Sequence, residues 1–215
     1  MFTKLARAIT IAAKEGGGDI SSNFKLRLVM DKAKQFNMPK KNIERAVERG
    51  TGRAGGELLA EAVYEGYGPG KIAVMVEVVT DNKNRSVAAI KKVFERSGGS
   101  LGQSGSVGYL FTRKGRILVE KQTDVEEQML KLIDLGAEDV EEAEVGVEML
   151  VEASKLAEIK NKASQAGFKI KEAELVFDPK SLLSLDEAVK AKAMKFLETL
   201  DDLDDVQNIY TSLDI

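Results

Sequence analysis

The chain has 215 residues, 43% hydrophobic and 31% charged, a balance that suits a water-soluble folded protein and not a disordered one. It contains no cysteine and no histidine, which removes disulfides, thiolate nucleophiles, zinc–cysteine sites and the commonest general base together. A formal net charge of −3 hides a basic head and an acidic tail: residues 1–54 hold 12 Lys+Arg against 5 Asp+Glu, residues 55–120 hold 9 against 7, and residues 121–215 hold 11 against 23. All nine arginines lie at or before Arg116. A basic head is the electrostatic footprint of a polyanion partner, and its competing account is a set of solvated helix faces. The longest apolar run, residues 72–76, is far short of the roughly 20 that span a bilayer. The first seven residues show no secretory signal, so a cytoplasmic location is expected, or the mitochondrial matrix in a eukaryote.

Phe2, Leu5, Ile9, Ala12 and Ala13 recur on one helical face and predict a first helix that stops at Gly16-Gly17-Gly18. Lys4, Arg7 and Lys14 on this helix are candidate phosphate contacts. No P-loop Lys-Ser/Thr follows the glycine triplet, so it reads as a helix end and not as a nucleotide cradle. Asn23 is a plausible cap for a second helix, with Leu26, Val29, Met30, Ala33 and Phe36 buried. Lys25, Lys32, Arg27 and Lys34 flank that stripe and lay their stems along the core edge. Pro39 fits the first turn of a third helix, where Ile43, Ala46 and Val47 face inward. On this helix Lys41, Arg45 and Arg49 recur every four residues and form one cationic stripe away from the apolar face. Glu44 and Glu48 sit beside it, able to pair with Lys40 and Arg45. The stripe runs on into a glycine-rich loop at residues 50–56 that carries Arg53.

Beyond residue 57 the period changes. Residues 61–67 alternate as a strand, Gly68-Pro69-Gly70 is turn chemistry, and residues 72–79 read as a strand inside a sheet. A helix follows with Val87, Ile90, Val93 and Phe94 inward. Lys83 and Arg85 at its start suit an anion, beside the plainer reading of a start capped by Asp81, Asn82 or Asn84. Residues 102–106 read as a mobile stretch before a strand at 107–111. Arg113-Lys114-Gly115-Arg116 then reads as a basic turn leading to a strand at 117–120. A helix is expected at 125–135. The strand 148–152, the helix through Leu156, Ile159 and Ala163, and the strand 170–177 repeat the earlier strand–helix–glycine–strand order. A last helix carries Ala188, Val189, Ala193 and Phe196. The run Asp201-Asp202-Leu203-Asp204-Asp205 lacks the spacing of a calcium loop and reads as a polar connector or negative shield. The closing strand, 206–211, is expected to return to the sheet of the middle domain.

Four stretches, FTKLARAITIAAKEGGGD, LRLVMDKAKQFNMPKKNIERAVERGTG, YEGYGPGKIAVMVEVVTDNKNRS and SGGSLGQSGSVGYLF, together resemble the YebC/PmpR family, in order and spacing over nearly all of residues 2–120. That family includes bacterial YebC-like proteins and a mitochondrial translational activator of cytochrome c oxidase subunit one. The resemblance implies an α+β fold in three domains: a helical bundle, then two ferredoxin-like α/β domains, the last inserted into the middle one. The expected limits are 1–55 for the basic helical domain, 56–121 plus 184–215 for the middle domain, and 122–183 for the acidic insert. Members of the family usually begin with about twenty further, very basic residues, so this chain is expected to lack that arm.

The function expected from charge and resemblance is a non-enzymatic, nucleic-acid-binding regulator of gene expression. The leading form is a ribosome-associated translation factor that assists synthesis through difficult stretches such as consecutive prolines. The alternative is a DNA-binding transcriptional regulator, and a remote one is a phosphate-handling enzyme. No helix-turn-helix with Asn, Gln and Arg aimed at bases is evident. The candidate contacts are Lys4, Arg7, Lys14, Lys41, Arg45, Arg49, Arg53, Lys83, Arg85, Arg113, Lys114 and Arg116, and no catalytic residue, metal or cofactor is expected. The partner is expected to be the ribosome or ribosomal RNA, with DNA as alternative, no membrane, and a monomer favoured. This reading requires the acidic end to stay apart from the basic front.

Overall fold

Helices α1 (Phe2–Gly16), α2 (Phe24–Gln35) and α3 (Lys40–Gly50) form where the apolar period is 3.6. Leu5, Ile9, Ala12 and Ala13 of α1 meet Leu26 and Ala33 of α2, Met38, and Ile43 and Ala46 of α3 in one core. Asn23 joins two of them. Its Oδ1 accepts from Leu26 N at 3.0 Å, capping α2, while its Nδ2 donates to Ala12 O at 2.7 Å and Gly17 O at 2.8 Å at the end of α1. Gly50 lets α3 lie close on α1, since a Cβ there would stand 2.7 Å from Ala13 Cβ. The computed structural model describes residues 2–53 and 59–214, so the expected boundary at residue 55 lies outside the described residues.

The chain continues as β1 (Ala60–Tyr67), β2 (Ala73–Thr80), α4 (Lys83–Arg96) and β3 (Ser100–Leu101). Next come β4 (Phe111–Val119), α5 (Val125–Asp134), β5 (Asp139–Ala143), β6 (Gly146–Glu152), α6 (Leu156–Gln165) and β7 (Ile170–Pro179). It ends with α7 (Glu187–Asp201) and β8 (Val206–Thr211). The first sheet has the order β3-β1-β2-β8, so the last strand does return to the middle sheet, antiparallel to β2 with Met75 opposite Tyr210. Strand β2 is buried on both faces except at Glu77, which accepts hydrogen bonds from Asn208 at 2.9 Å and Tyr210 at 3.0 Å. Phe94 of α4 and Phe196 of α7 meet edge to face, 4.9 Å between centroids, in the core over this sheet.

The second sheet has the order β5-β6-β4-β7, and its chain order β–α–β–β–α–β is that of a split βαβ or ferredoxin-like unit. Two compact units result, Met1–Thr112 with Pro179–Ile215, and Arg113–Asp178. The mixed α+β architecture, helices first and two sheet-bearing regions after, is as expected.

One expectation fails here. Residues 107–120 do not form two strands around a basic turn. Residues Gly108–Leu110 make a short 3-10 turn, and β4 then runs unbroken through Arg113-Lys114-Gly115-Arg116. Phe111, Gly115, Ile117 and Val119 are its buried positions. Gly115 serves packing and not turning, because a Cβ there would stand 2.8–2.9 Å from Val151 and Leu156 side-chain atoms.

Candidate nucleic-acid interface

Helix α3 presents the stripe that its sequence spacing requires. Ile43 and Ala46 are buried, while Lys41, Arg45 and Arg49 are exposed, about 6 Å apart along the axis at 1.5 Å per residue. Among the described residues these three form no ion pair, nor does Arg53, exposed just past the helix end. The ion pair on this helix joins Lys40 to Glu44 at 3.7 Å, with both side chains mostly in solvent, so it neutralises little. The stripe is therefore open to phosphates. Most of the glycine-rich loop beyond Arg53, residues 54–56, lies outside the described residues.

The cations of α1 are differently placed. Lys4 Nζ lies 2.8 Å from Asp201 Oδ1 and donates to Asp201 O at 2.5 Å. Arg7 pairs with Asp205 Oδ1 at 2.7 Å and also donates to Asp204 O. Lys14 donates to Leu59 O at 2.9 Å. Arg85 pairs with Asp81 and lies 3.4 Å from Asp205. The aspartate run is thus no shield held apart from the basic front: it lies against α1 and the start of α4. The cause is the return of β8, which puts Asp205 O within 2.9 Å of Val79 N at the end of β2. Burial alone would raise the Asp205 carboxyl, but Ser86 at 2.6 Å, the Arg7 cation, Thr80 at 3.1 Å and Arg85 outweigh it and hold the pKa below the ordinary aspartate value. A cavity of about 250 Å³ at this junction is lined by Arg7, Arg85, Ser86, Asp204 and Asp205, and both its guanidinium groups already face Asp205. Lys4, Arg7 and Arg85 are accordingly withdrawn from the set of free contacts. Lys83 is exposed in the first turn of α4, a helix start capped by Asn82, whose Oδ1 accepts from Arg85 N at 3.0 Å.

Arg113, Lys114 and Arg116 do not project from a loop tip. Arg116 faces Glu148 of β6 at 3.1 Å and Glu174 and Glu172 of β7 at 2.5 and 3.4 Å. Lys114 pairs with Glu138, and the Arg113 guanidinium stands 4.3 Å from the Phe177 ring centroid. Arg116 is neutralised because β6 and β7 pair with β4 along its two edges and bring their glutamates beside it, and Lys114 meets Glu138 just before β5.

Glu65 was not singled out from the sequence, yet it organises the neighbouring surface. It is 7% exposed, and its carboxylate accepts backbone N–H groups from Gly105 at 2.8 Å, Val107 at 2.9 Å and Gly108 at 2.7 Å. Burial would raise its pKa, and these three bonds bring it below the usual glutamate value. The stretch expected to be mobile is pinned. No local pattern announces this, since the partners lie some forty positions downstream. Among the described residues no acidic cluster fits a metal ion, and no helix is long and apolar enough to cross a membrane.

Residues 1–53 match the family described as TACO1/YebC protein N-terminal domain, and residues 59–213 match TACO1/YebC second and third domain. A protein of Herpetosiphon aurantiacus named a probable transcriptional regulatory protein is 46% identical over all of this chain and 86% of its own length. One of the same name from Caldanaerobacter subterraneus is 44% identical, over all of this chain and 89% of its own. The crystal structure of a conserved hypothetical protein from Aquifex aeolicus superposes with a TM-score of 0.94 at 41% identity, covering all of this chain and 89% of that one.

Proposed function

The chain belongs to the TACO1/YebC family, and on that premise we propose that it is a non-catalytic regulator of gene expression that grips RNA on the ribosome. The aspartate run lies against α1 and cancels its cations, contrary to the separation expected, so what carries this reading is the exposed Lys41–Arg45–Arg49 stripe of α3, which has no carboxylate partner among the described residues. Three point charges at one-turn spacing suit successive backbone phosphates and carry no base code of their own. The stripe itself is made of Lys and Arg alone, and the one amide beside it is the exposed Asn42. In this role the protein acts by positioning RNA during difficult stretches of synthesis, consecutive prolines among them, and performs no bond chemistry.

A second reading, DNA-binding transcriptional regulation, is favoured by the names of the relatives. Co-sedimentation separates the two. The protein should pellet with ribosomes at low salt and be released as salt rises. Salt-independent pelleting, or a footprint on one promoter that survives excess random DNA while ribosomes leave the protein in the supernatant, would sink the ribosomal reading.

A further inference from the structure

Resting on the RNA-binding reading above, we infer that the loop at residues 102–109 is a second contact for the same partner: a preformed perch on which an unpaired RNA base stacks against Tyr109. Glu65 clamps this loop four times. Its carboxylate takes the N–H groups of Gly105, Val107 and Gly108, and its own carbonyl takes Gly102 N at 2.7 Å. Within the loop only Val107 is buried, while Gln103 and Ser104 are exposed. Four hydrogen bonds to one buried residue hold a surface loop with a single core side chain in one shape, and a loop already ordered pays less entropy on contact.

Tyr109 is 63% exposed. Its backbone is nonetheless held, because it lies in the Gly108–Leu110 turn, whose first N–H is bound by Glu65 and whose last donates to Val107 O at 2.8 Å. An aromatic ring displayed in a fixed place is what an unstacked base needs. The Gln103 amide and Ser104 hydroxyl are available to base edges or a ribose 2′-hydroxyl. Lys180, exposed and joined to the end of the same turn by its backbone N, which donates to Leu110 O at 2.8 Å, is the nearby chain position that carries a cation. A peptide would need an apolar seat, and the loop's exposed neighbours of Tyr109 are polar.

The chain has four tyrosines and no tryptophan, so tyrosine emission reports the perch directly. A short single-stranded oligoadenylate should quench it, and a base-paired duplex should not. Tyr109→Ala should weaken oligonucleotide binding about 5- to 150-fold. Tyr109→Phe should keep binding near wild type while losing the quench, and Glu65→Gln, with helicity checked by circular dichroism, should weaken binding by loosening the loop. Wild-type affinity in Tyr109→Ala, or equal quenching by duplex, overturns the perch. If the wild type ignores the oligonucleotide but still pellets with ribosomes, the perch alone falls. If it binds neither, the functional reading falls with it.

Discussion

Arg7 Nη1 lies 2.7 Å from Asp205 Oδ1, so the first helix is tied to the turn that launches the last strand. Both side chains are largely withdrawn from water, at 19% and 13% exposure. Around the same carboxylate gather Ser86, Thr80 and Arg85, which come from the end of β2 and the start of α4. Asp205 is thus a junction of three elements. A cation engaged this way is a poor phosphate ligand, which is why the proposed contact rests on α3.

Removing one partner of such a pair leaves the other poorly solvated. Asp205→Asn should destabilise the protein by about 1–3 kcal/mol in urea unfolding, as should Arg7→Gln to a smaller degree. The double variant should lose less than the sum, with a coupling of about 1–2 kcal/mol. Strict additivity would show that the contact contributes nothing in solution.

Glu65 makes stability depend on acid. Its folded pKa is lowered, so its contribution is fully present above the unfolded value near 4.5 and is lost as pH falls through the folded one. Glu65→Gln should therefore cost about 2–4 kcal/mol at neutral pH. The gap between variant and wild type should begin to shrink as pH falls below the unfolded value near 4.5, and close as the folded carboxylate in turn takes up its proton. Denaturant titrations at pH 7 and pH 3 measure both. A pH-independent gap would mean that packing, not charge, holds the loop.

What could be read from residue order alone was local. The stripes of α1 to α3 needed only a 3.6 period and the Asn23 cap only its position before an apolar run, while for α4 the order left Asp81, Asn82 and Asn84 open and the structure selects Asn82. The return of β8 was legible because a lone terminal strand must find an existing sheet. The continuity of β4 was not, because Gly115 looks like a turn residue until Leu156 is seen to pack on it. Nor was the engagement of Lys4 and Arg7: the aspartates that meet them are brought back by β8 pairing, a tertiary consequence that charge counting along the chain cannot register. Arg116 was misplaced for the same reason, its carboxylates coming from neighbouring strands.

Arg116 consequently reads as structural. It stands among Glu148, Glu172 and Glu174, and Arg116→Ala would leave three carboxylates crowded without that guanidinium. A loss of about 2–4 kcal/mol is expected at neutral pH, smaller in acid where the glutamates take up protons. Binding of RNA per folded molecule should be unchanged. A thermal midpoint equal to wild type, with weakened RNA binding, would return Arg116 to the contact set.

The same logic ranks the cations of the head. Replacing Lys41, Arg45 and Arg49 together by Gln should leave helicity intact, because Ile43 and Ala46 still fill the core. Each lost phosphate contact lowers the slope of log affinity against log salt by about 0.7 for a single strand, so the triple variant should lose about 2. Lys4→Gln is the contrast. Its ammonium already faces Asp201, so affinity should move by less than about twofold and the slope hardly at all. Fluorescence-anisotropy titrations of one labelled RNA at several salt concentrations measure both variants side by side. If Lys4→Gln proved as damaging as the triple replacement, the aspartates would have to be giving way to RNA at α1, and the interface would have to be redrawn around that helix.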